Sequence, residues 1–230
     1  MTELERGQTR ELTITRMAHG GEGIAELDGR VVFVRGAYPG DVVDAIVTQV
    51  KKRFARADVD RVTTPGPFRV EQACPAAAAG AGCCDFGDLD PAQETGLKAE
   101  ILLGQLTRLG KVSDVPTPEL INLEPARGWR TRVRLGVDKQ GRAGFRARAS
   151  HDLVHVPCTQ VVPGLLDGLV GDGARTFAPG AEVVAVLDSA GVRHVVETRR
   201  APRGRRVEKV TEVLEGSGTV TRSEEHTSEL

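Results

Sequence analysis

Five short runs of alternating polar and apolar residues, all between Thr9 and Val62, constrain the fold of this chain more than any other feature. Turns rich in glycine or proline separate the runs, and the sharpest of them, Asp28–Gly29, is typical of a two-residue β-hairpin. No helical run lies in this stretch to cover the apolar face of the strands. Strands without such a cover bury that face by closing on themselves. We therefore predict a five-stranded β-barrel over residues 8–63, followed by a linker.

Residues 64–215 predict a second domain, so the fold class is mixed α+β: a barrel followed by an α+β central domain with antiparallel hairpins. Asp90 suits an N-cap, Pro91 suits the first helical position and Gly110 suits the C-terminal end, so one helix is predicted between them. A shorter helix is predicted over residues 163–170. The two predicted hairpins are Arg130–Val137 with Arg142–Ala147, and Ala181–Leu187 with Val192–Thr198.

Basic residues are concentrated in segments, although the net charge of the 230-residue chain is only −1. Residues 125–150 hold eight basic residues against one acidic residue, and residues 199–209 hold six against one. Arginine is far more frequent than lysine, and its planar guanidinium group matches phosphate oxygens and stacks on bases. The bias favours a nucleic-acid partner, and a GC-rich codon usage is the alternative explanation.

Two groups of basic residues are candidate RNA-binding sites. Arg130, Arg132 and Arg134 alternate along one predicted strand, so they project from one face, and Arg146 and Arg148 alternate on its partner strand. The second group lies in the barrel beside Phe54, which offers a stacking surface for a base. Its members are Lys51, Lys52, Arg53 and Arg56. An ordinary solvated surface is the alternative interpretation of each group.

The four cysteines, Cys74, Cys83, Cys84 and Cys158, are the candidate metal ligands. Three of them fall within eleven residues and the fourth lies far along the chain, as in a loop that meets a later strand at a metal site. Four thiolates suit either zinc or an iron–sulfur cluster. The alternative is that the cysteines are small buried apolar residues that bind no metal.

Composition argues against several classes of protein. No apolar run approaches the roughly 20 residues of a membrane-spanning helix, and the N-terminus lacks the apolar stretch of a signal peptide. Four cysteines in 230 residues are too few for a disulfide scaffold. We therefore expect a cytoplasmic monomer with no membrane partner. Residues 222–230 resemble the translation of a sequencing-adapter oligonucleotide, which we interpret as an artefactual tail, with a natural disordered tail as the alternative.

Residues 11–62 resemble a TRAM domain, an RNA-binding barrel of the oligonucleotide-binding (OB) type. The resemblance rests on the motifs GEGIA, GRVVFV, PGD and KKRFARA, which begin at Gly21, Gly29, Pro39 and Lys51. A TRAM domain followed by a Cys-rich loop resembles the front part of the bacterial 5-methyluridine RNA methyltransferases, including those that modify 23S ribosomal RNA. Residues 130–135, 144–146 and 154–158 resemble the central domain of that family. The resemblance implies RNA, and ribosomal RNA in particular, as the partner.

The same resemblance implies a [4Fe–4S] cluster. Cys74, Cys84 and Cys158 match the family's ligand positions, whereas its second ligand position is Ala81 here and Cys83 stands two residues away. The resemblance also implies a C-terminal domain that binds S-adenosylmethionine and uses a cysteine nucleophile. None of that domain is visible in the sequence, so we assign no catalytic residue and expect the gene to continue past Thr221.

Two functions stay open at this point. The first is the RNA-binding front part of an S-adenosylmethionine-dependent RNA (uridine-C5) methyltransferase that acts on 23S rRNA, itself catalytically inactive. The second is a non-enzymatic TRAM-type RNA-binding adaptor of the translation machinery. TRAM-bearing radical enzymes are disfavoured, because they need a Cys-x3-Cys-x2-Cys motif that is absent from the sequence.

Overall fold

The computed structural model describes residues 4–203 and 206–217, with side chains described at 4–200 and 209–217. The chain divides into two compact units. The first comprises residues 1–71 and 88–123, and the second comprises residues 72–87 and 124–230. Part of the basic segment 199–209 and the predicted tail 222–230 lie outside the described residues.

The first unit contains a six-stranded sheet with the order β1-β5-β6-β4-β3-β2. The strands are β1 (Thr9–Thr13), β2 (Arg16–Met17), β3 (Gly23–Leu27), β4 (Arg30–Arg35), β5 (Val42–Val50) and β6 (Phe54–Thr64). All neighbouring pairs are antiparallel except β4 and β6, which run parallel. The core is built from alternate positions, such as Val32 and Val34 on β4 and Ala55 and Ala57 on β6.

One continuous segment, residues 9–17, holds both edges of this sheet. Its first half, β1, pairs with β5, and its second half, β2, pairs with β3. Between them Ile14 is buried and hydrogen bonded through its backbone to Asp41 and Gly40, while the Thr15 backbone N–H donates to Ile24. The sequence predicts five strands and the structure has six, because the chain changes partner at these two residues and then forms the short strand β2.

Helix α2 (Pro91–Gly104) begins where the sequence predicts and ends earlier than predicted. Asp90 caps it through its side chain, which accepts a hydrogen bond from the Ala92 N–H at 3.0 Å. The last predicted turn, Gln105–Leu109, is instead a π-helical turn that Gly110 terminates. Leu102 and Leu109 are exposed, so the leucines at the end of this helix do not form a buried stripe.

A buried ionic cluster fastens the segments after β6 to the first unit. The Asp41 carboxylate is fully buried and accepts hydrogen bonds from the N–H groups of Tyr38 (2.7 Å) and Gly66 (2.8 Å). Arg69 pairs with both Asp41 and Asp88, and the Tyr38 hydroxyl donates to Asp88. Burial raises the pKa of Tyr38, which keeps its hydroxyl a neutral donor.

This cluster explains why the compact units differ from the predicted division at residues 63 and 64. Because Arg69 and Asp88 are bound to the Asp41 site, the chain leaves the first unit after Glu71 and returns at Asp88. Residues 88–123, including α2, therefore belong with the strands that precede the linker. The predicted central domain keeps only residues 72–87 and the part of the chain after 123.

The second unit contains a six-stranded antiparallel sheet with the order β12-β11-β10-β7-β8-β9. Its elements are the short helix α1 (Pro75–Ala78) and strands β7 (Arg132–Val137), β8 (Ala143–Arg146), β9 (Leu153–Val154), β10 (Glu182–Leu187), β11 (Arg193–Arg203) and β12 (Arg206–Glu215). Both predicted hairpins form, and each turn is closed by a carboxylate, Asp138 or Asp188, which accepts two backbone N–H bonds.

The helix predicted over residues 163–170 does not form. The segment is a succession of turns in which Gly164 and Gly168 have positive φ angles of 82° and 67°. These conformations interrupt a right-handed helix, yet Leu165 and Leu169 still reach the core of the second unit. These leucines are therefore buried although the segment is not a helix.

Among the described residues, no helix is both long and apolar enough to span a membrane.

Replacement of Asp41 by Asn is predicted to destabilise the protein by about 3 kcal/mol, because the largely buried Arg69 loses one of its two carboxylate partners and keeps only Asp88. Urea unfolding followed by circular dichroism measures this free energy. Arg61→Gln is the matched control, since Arg61 is exposed and pairs with Asp44, and it should cost about 0–1 kcal/mol. Equal effects of the two substitutions would contradict the importance of the buried cluster.

Candidate functional site

Three cysteine sulfur atoms meet in the second unit. Cys74 lies at the N-terminus of α1, Cys83 follows in the turn after it, and Cys158 comes from the loop after β9. The Cys158 Sγ lies 3.6 Å from the Sγ of Cys74 and 3.6 Å from the Sγ of Cys83. All three sulfur atoms lie within 4.8 Å of one another, and Cys74 and Cys158 are buried. We call these residues, with Cys84, the thiol cluster.

Cys84 lies beside the three central sulfur atoms. Its Sγ accepts a hydrogen bond from the Gln160 side chain at 3.6 Å, and Cys74 is a further side-chain partner. In the sequence resemblance, Cys84 matches a ligand position of the family and Cys83 stands two residues away from one. In the structure, Cys83 is one of the three cysteines whose sulfur atoms lie within 4.8 Å of one another. The difference arises from the turn at 82–84, where the Gly82 N–H is bonded to Arg146 and Ala81 bridges to Ala147.

The thiols of the cluster differ in acidity. A hydrogen bond from Cys158 lowers the pKa of Cys83, and the same contact together with burial raises the pKa of Cys158. Burial raises the pKa of Cys84 to about 11. Cys83 is therefore more readily ionised than Cys84 or Cys158, and ionisation of those two thiols needs a nearby cation to offset their burial. The donor set is sulfur alone, which suits zinc or an iron–sulfur cluster.

Three of the five predicted central arginines share one face of the second sheet. Arg132 and Arg134 alternate with buried Val133 on β7, as predicted. The Arg146 guanidinium lies on the same side, because its Cζ is 3.7 Å from the position that a Cβ on Gly136 would occupy. Arg134 pairs with Glu182 at 3.5 Å, whereas Arg132 and Arg146 have no carboxylate partner among the described residues.

The other two predicted arginines lie beside the thiol cluster instead. Arg130 precedes the strand, and its guanidinium approaches the Cys83 carbonyl oxygen at 3.5 Å and stacks over Trp129. Arg148 follows β8 and pairs with Asp85 at 2.8 Å. The predicted five-arginine row is thus divided, because the strands end before these two positions and the bridge between Ala81 and Ala147 draws residue 148 to the cysteine loop.

The predicted basic cluster of the first unit occupies the turn between β5 and β6 and the start of β6. Lys51, Lys52 and Arg53 are exposed in that turn. Arg56 is bound differently, since it pairs with Glu22 and lies 5.4 Å above the centre of the Phe33 ring. The rings of Phe33 and Phe54 meet edge to face, 5.8 Å between centroids. The sequence predicted Phe54 as the stacking residue and missed Phe33.

These rings form the floor of a cavity of about 710 Å³ within the first unit. Its walls come from the outer face of the strands, from Gly104 at the end of α2 and from the π-helical turn, which includes Arg108. Arg16 on β2 lies at the same cavity. Sequence analysis missed Arg16 and Arg108, because no local pattern indicates that a helix more than forty residues later folds over this face. The isolated Arg16 carries no motif.

Residues 3–59 match the family model described as the TRAM domain. The match covers the strands of the first unit up to the middle of β6. The chain carries a TRAM domain. This confirms the coarse interpretation of the N-terminal motifs.

Three comparisons extend beyond that domain. A protein of Corynebacterium efficiens named "Uncharacterized RNA methyltransferase" is 60% identical over 219 residues, which is 95% of this chain and 52% of that protein. A Methylococcus capsulatus protein named 23S rRNA (uracil(1939)-C(5))-methyltransferase is 40% identical over 172 residues, 72% of this chain and 37% of that protein. The Pyrococcus abyssi tRNA (uracil-54, C5)-methyltransferase, solved with S-adenosyl-L-homocysteine, aligns with 80% of this chain and 44% of its own, at 20% identity and a TM-score of 0.46.

The homologues of this TRAM-domain chain thus include proteins named RNA methyltransferases, and their similarity extends through both compact units. The chain spans about half the length of the curated relatives it matches most extensively.

Proposed function

We propose that this chain is the RNA-binding front part of an S-adenosylmethionine-dependent RNA (uridine-C5) methyltransferase that acts on 23S rRNA. The observation that supports it most is the similarity over 95% of the chain to a protein named an RNA methyltransferase, in a chain that also carries a TRAM domain. The 23S rRNA substrate is favoured by the relative named for uracil-C5 methylation of that RNA. Each of the two units contributes basic surface that suits this role.

In the second unit, the arginine face formed by Arg132, Arg134 and Arg146 contacts phosphates. Guanidinium groups bind phosphate oxygens through paired N–H donors, and two of these three have no competing carboxylate among the described residues. Arg134 is exposed and lies 3.5 Å from Glu182, so replacing that carboxylate by a phosphate costs little free energy.

Methyl transfer itself is assigned to a domain beyond these residues. Uridine-C5 methylation in the family that this chain resembles uses a cysteine thiolate. All four cysteines of the sequence lie in the thiol cluster, where they are crowded together and largely withdrawn from solvent. No thiol is left over as a nucleophile, and the 230-residue chain by itself should therefore be inactive.

The thiol cluster is proposed to hold a [4Fe–4S] cluster through Cys74, Cys83, Cys84 and Cys158. The all-sulfur donor set fits this group, and three of the four sulfur atoms already lie within 4.8 Å of one another. When bound, the cluster supplies iron–thiolate bonds that cross-link the loop at 74–84 to the loop at 158. The protein's own residues fix the loop at 74–84 through the bonds from Gly82 to Arg146 and from Arg148 to Asp85.

Combined replacement of Arg132 and Arg134 by Gln is predicted to weaken RNA binding and to reduce the slope of log affinity against log salt by about 2, since each lost phosphate contact lowers it by about 1. Fluorescence anisotropy with a labelled 23S rRNA fragment, repeated at several salt concentrations, measures the slope. Arg142→Gln is the matched control, because Arg142 is exposed and paired with Asp138 in the hairpin turn. An unchanged slope in the double variant would exclude the arginine face.

The purified 230-residue chain is predicted to bind a 23S rRNA transcript without transferring labelled methyl groups from S-adenosylmethionine. The full-length Corynebacterium efficiens relative serves as the comparison under the same conditions and should methylate uridine at C5. Methyl transfer by the 230-residue chain would overturn its assignment as a binding part. A full-length relative that binds RNA and methylates nothing would favour the non-enzymatic adaptor.

Anaerobically purified protein is predicted to contain about four iron and four sulfide per chain, as a [4Fe–4S] cluster requires. Cys158→Ser should remove both, because Cys158 contacts the sulfur atoms of Cys74 and Cys83. Cys84→Ser tests the fourth ligand and should lower the iron content as well. Full iron retention in Cys84→Ser would restrict the site to three sulfur ligands, and a well-folded, colourless wild-type protein would rule the cluster out.

A further inference from the structure

We propose that the cavity of the first unit binds one unpaired nucleobase of single-stranded RNA, with the base against Phe33 and Phe54 and the flanking phosphates at Arg16, Arg53 and Arg108. The inference rests on the proposed RNA binding and adds to it a specific site and a ligand class. It depends on the side chains that the outer strand face and the end of α2 bring together.

The floor of the cavity is apolar and aromatic because of the strand register. Phe33 on β4 lies opposite Ile24 on β3, and Val31 on β4 lies opposite Phe54 on β6. These four side chains point away from the core residues Val32 and Val34, so they form one outward patch. A base has an apolar π-face that stacks on such rings, and this contact does not depend on base identity.

Arg56 completes the floor and does not act as a free cation. Its guanidinium lies 5.4 Å above the centre of the Phe33 ring and pairs with Glu22, which also borders the cavity. Among the described residues that line the cavity, Glu22 is the one carboxylate, and this pair neutralises a charge that would otherwise repel a phosphate. Arg56 also fixes the orientation of the Phe33 ring by a cation–π contact.

The rim carries three guanidinium groups that have no carboxylate partner among residues 4–203 and 206–217: Arg16, Arg53 and Arg108. They come from three separate elements: β2, the β5–β6 turn and the π-helical turn. The Arg108 guanidinium lies over Gly104, which also lines the cavity. An apolar floor within a cationic rim complements a base attached to a polyanionic backbone.

The size of the cavity is consistent with this ligand. A volume of about 710 Å³ lies within the roughly 300–1,000 Å³ range of small-ligand pockets. A base within a duplex cannot enter the cavity, because it must unstack and unpair before it can reach the rings. The cavity therefore selects single-stranded or loop RNA.

The test compares two fluorescein-labelled probes of equal charge, a uridine octamer and an abasic ribose-phosphate octamer, against the full 230-residue chain. The wild-type protein should bind the uridine octamer about tenfold more tightly, which is the contribution of one stacked base. Phe54→Leu keeps the apolar volume and removes the ring, so it should weaken binding of the uridine octamer about tenfold and leave the abasic probe unchanged. Arg53→Gln should weaken both probes equally.

Gly104→Leu provides a second variant that does not depend on the aromatic residues. Gly104 has helical φ and ψ angles of −62° and −34°, and an added Cβ meets only the flexible end of Arg108. A leucine there narrows the cavity and displaces the Arg108 guanidinium while it favours the helix. It should therefore weaken binding of the uridine octamer more than binding of the abasic octamer, without lowering the unfolding midpoint. Arg61→Gln, which alters an exposed paired charge elsewhere on β6, should change neither affinity.

The outcomes distinguish this inference from the function on which it rests. If the wild-type protein bound neither probe and did not bind the 23S rRNA fragment, both the base-binding inference and the proposed RNA-binding function would be overturned. Equal binding of the two probes, or a uridine affinity that survives both Phe54→Leu and Gly104→Leu in folded protein, would show that the cavity holds no base. In that case the RNA-binding function stands and the cavity serves another occupant.

Discussion

The buried carboxylate of Asp41 is the constraint on which the first unit depends. It accepts a hydrogen bond from the Tyr38 N–H in the turn after β4 and another from the Gly66 N–H in the linker. It also forms an ion pair with Arg69. Arg69 in turn reaches Asp88, the first residue of the returning segment. A carboxylate withdrawn from water is stable only when all these donors are present, so the arrangement is effectively all or none. The position of α2, and with it one wall of the cavity, follows from that cluster.

The thiol cluster shows a similar dependence on backbone geometry. Adjacent cysteines in extended chain would point to opposite sides, and only a turn allows Cys83 and Cys84 to approach one group of partners. The turn is held by the backbone bond from Gly82 to Arg146 and by the pairing of Asp85 with Arg148. Two of the arginines that sequence analysis assigned to RNA, Arg130 and Arg148, thus contact the cysteine loop. These two arginines therefore help to hold the cysteine loop and are not part of the arginine face.

Local signals in the sequence predicted local structure well and long-range structure poorly. The strands of the first unit, the Asp90 cap and both hairpins of the second sheet follow from alternation and turn chemistry that act over a few residues. The return of the chain at Asp88 depends on a contact fifty residues away from Tyr38, and no periodicity encodes it. For the same reason the sequence identified Phe54 beside its basic neighbours but missed Phe33 and Arg108. The helix prediction for residues 163–170 was wrong for a different reason: the buried leucines of this turn segment have a spacing that also occurs in helices.

The division of basic side chains into paired and unpaired groups bears on how such a chain selects RNA. Arg56, Arg134 and Arg148 are bound to carboxylates, and the chain as a whole is almost neutral. A nearly neutral protein has little long-range attraction for a polyanion, so non-specific binding of RNA over its whole surface is disfavoured. Affinity must then come from the few places where free guanidinium groups coincide with a surface of suitable shape. In the first unit the aromatic cavity is where they coincide, and under the proposed base-binding role an unstacked base would gain a contact there that a duplex cannot make.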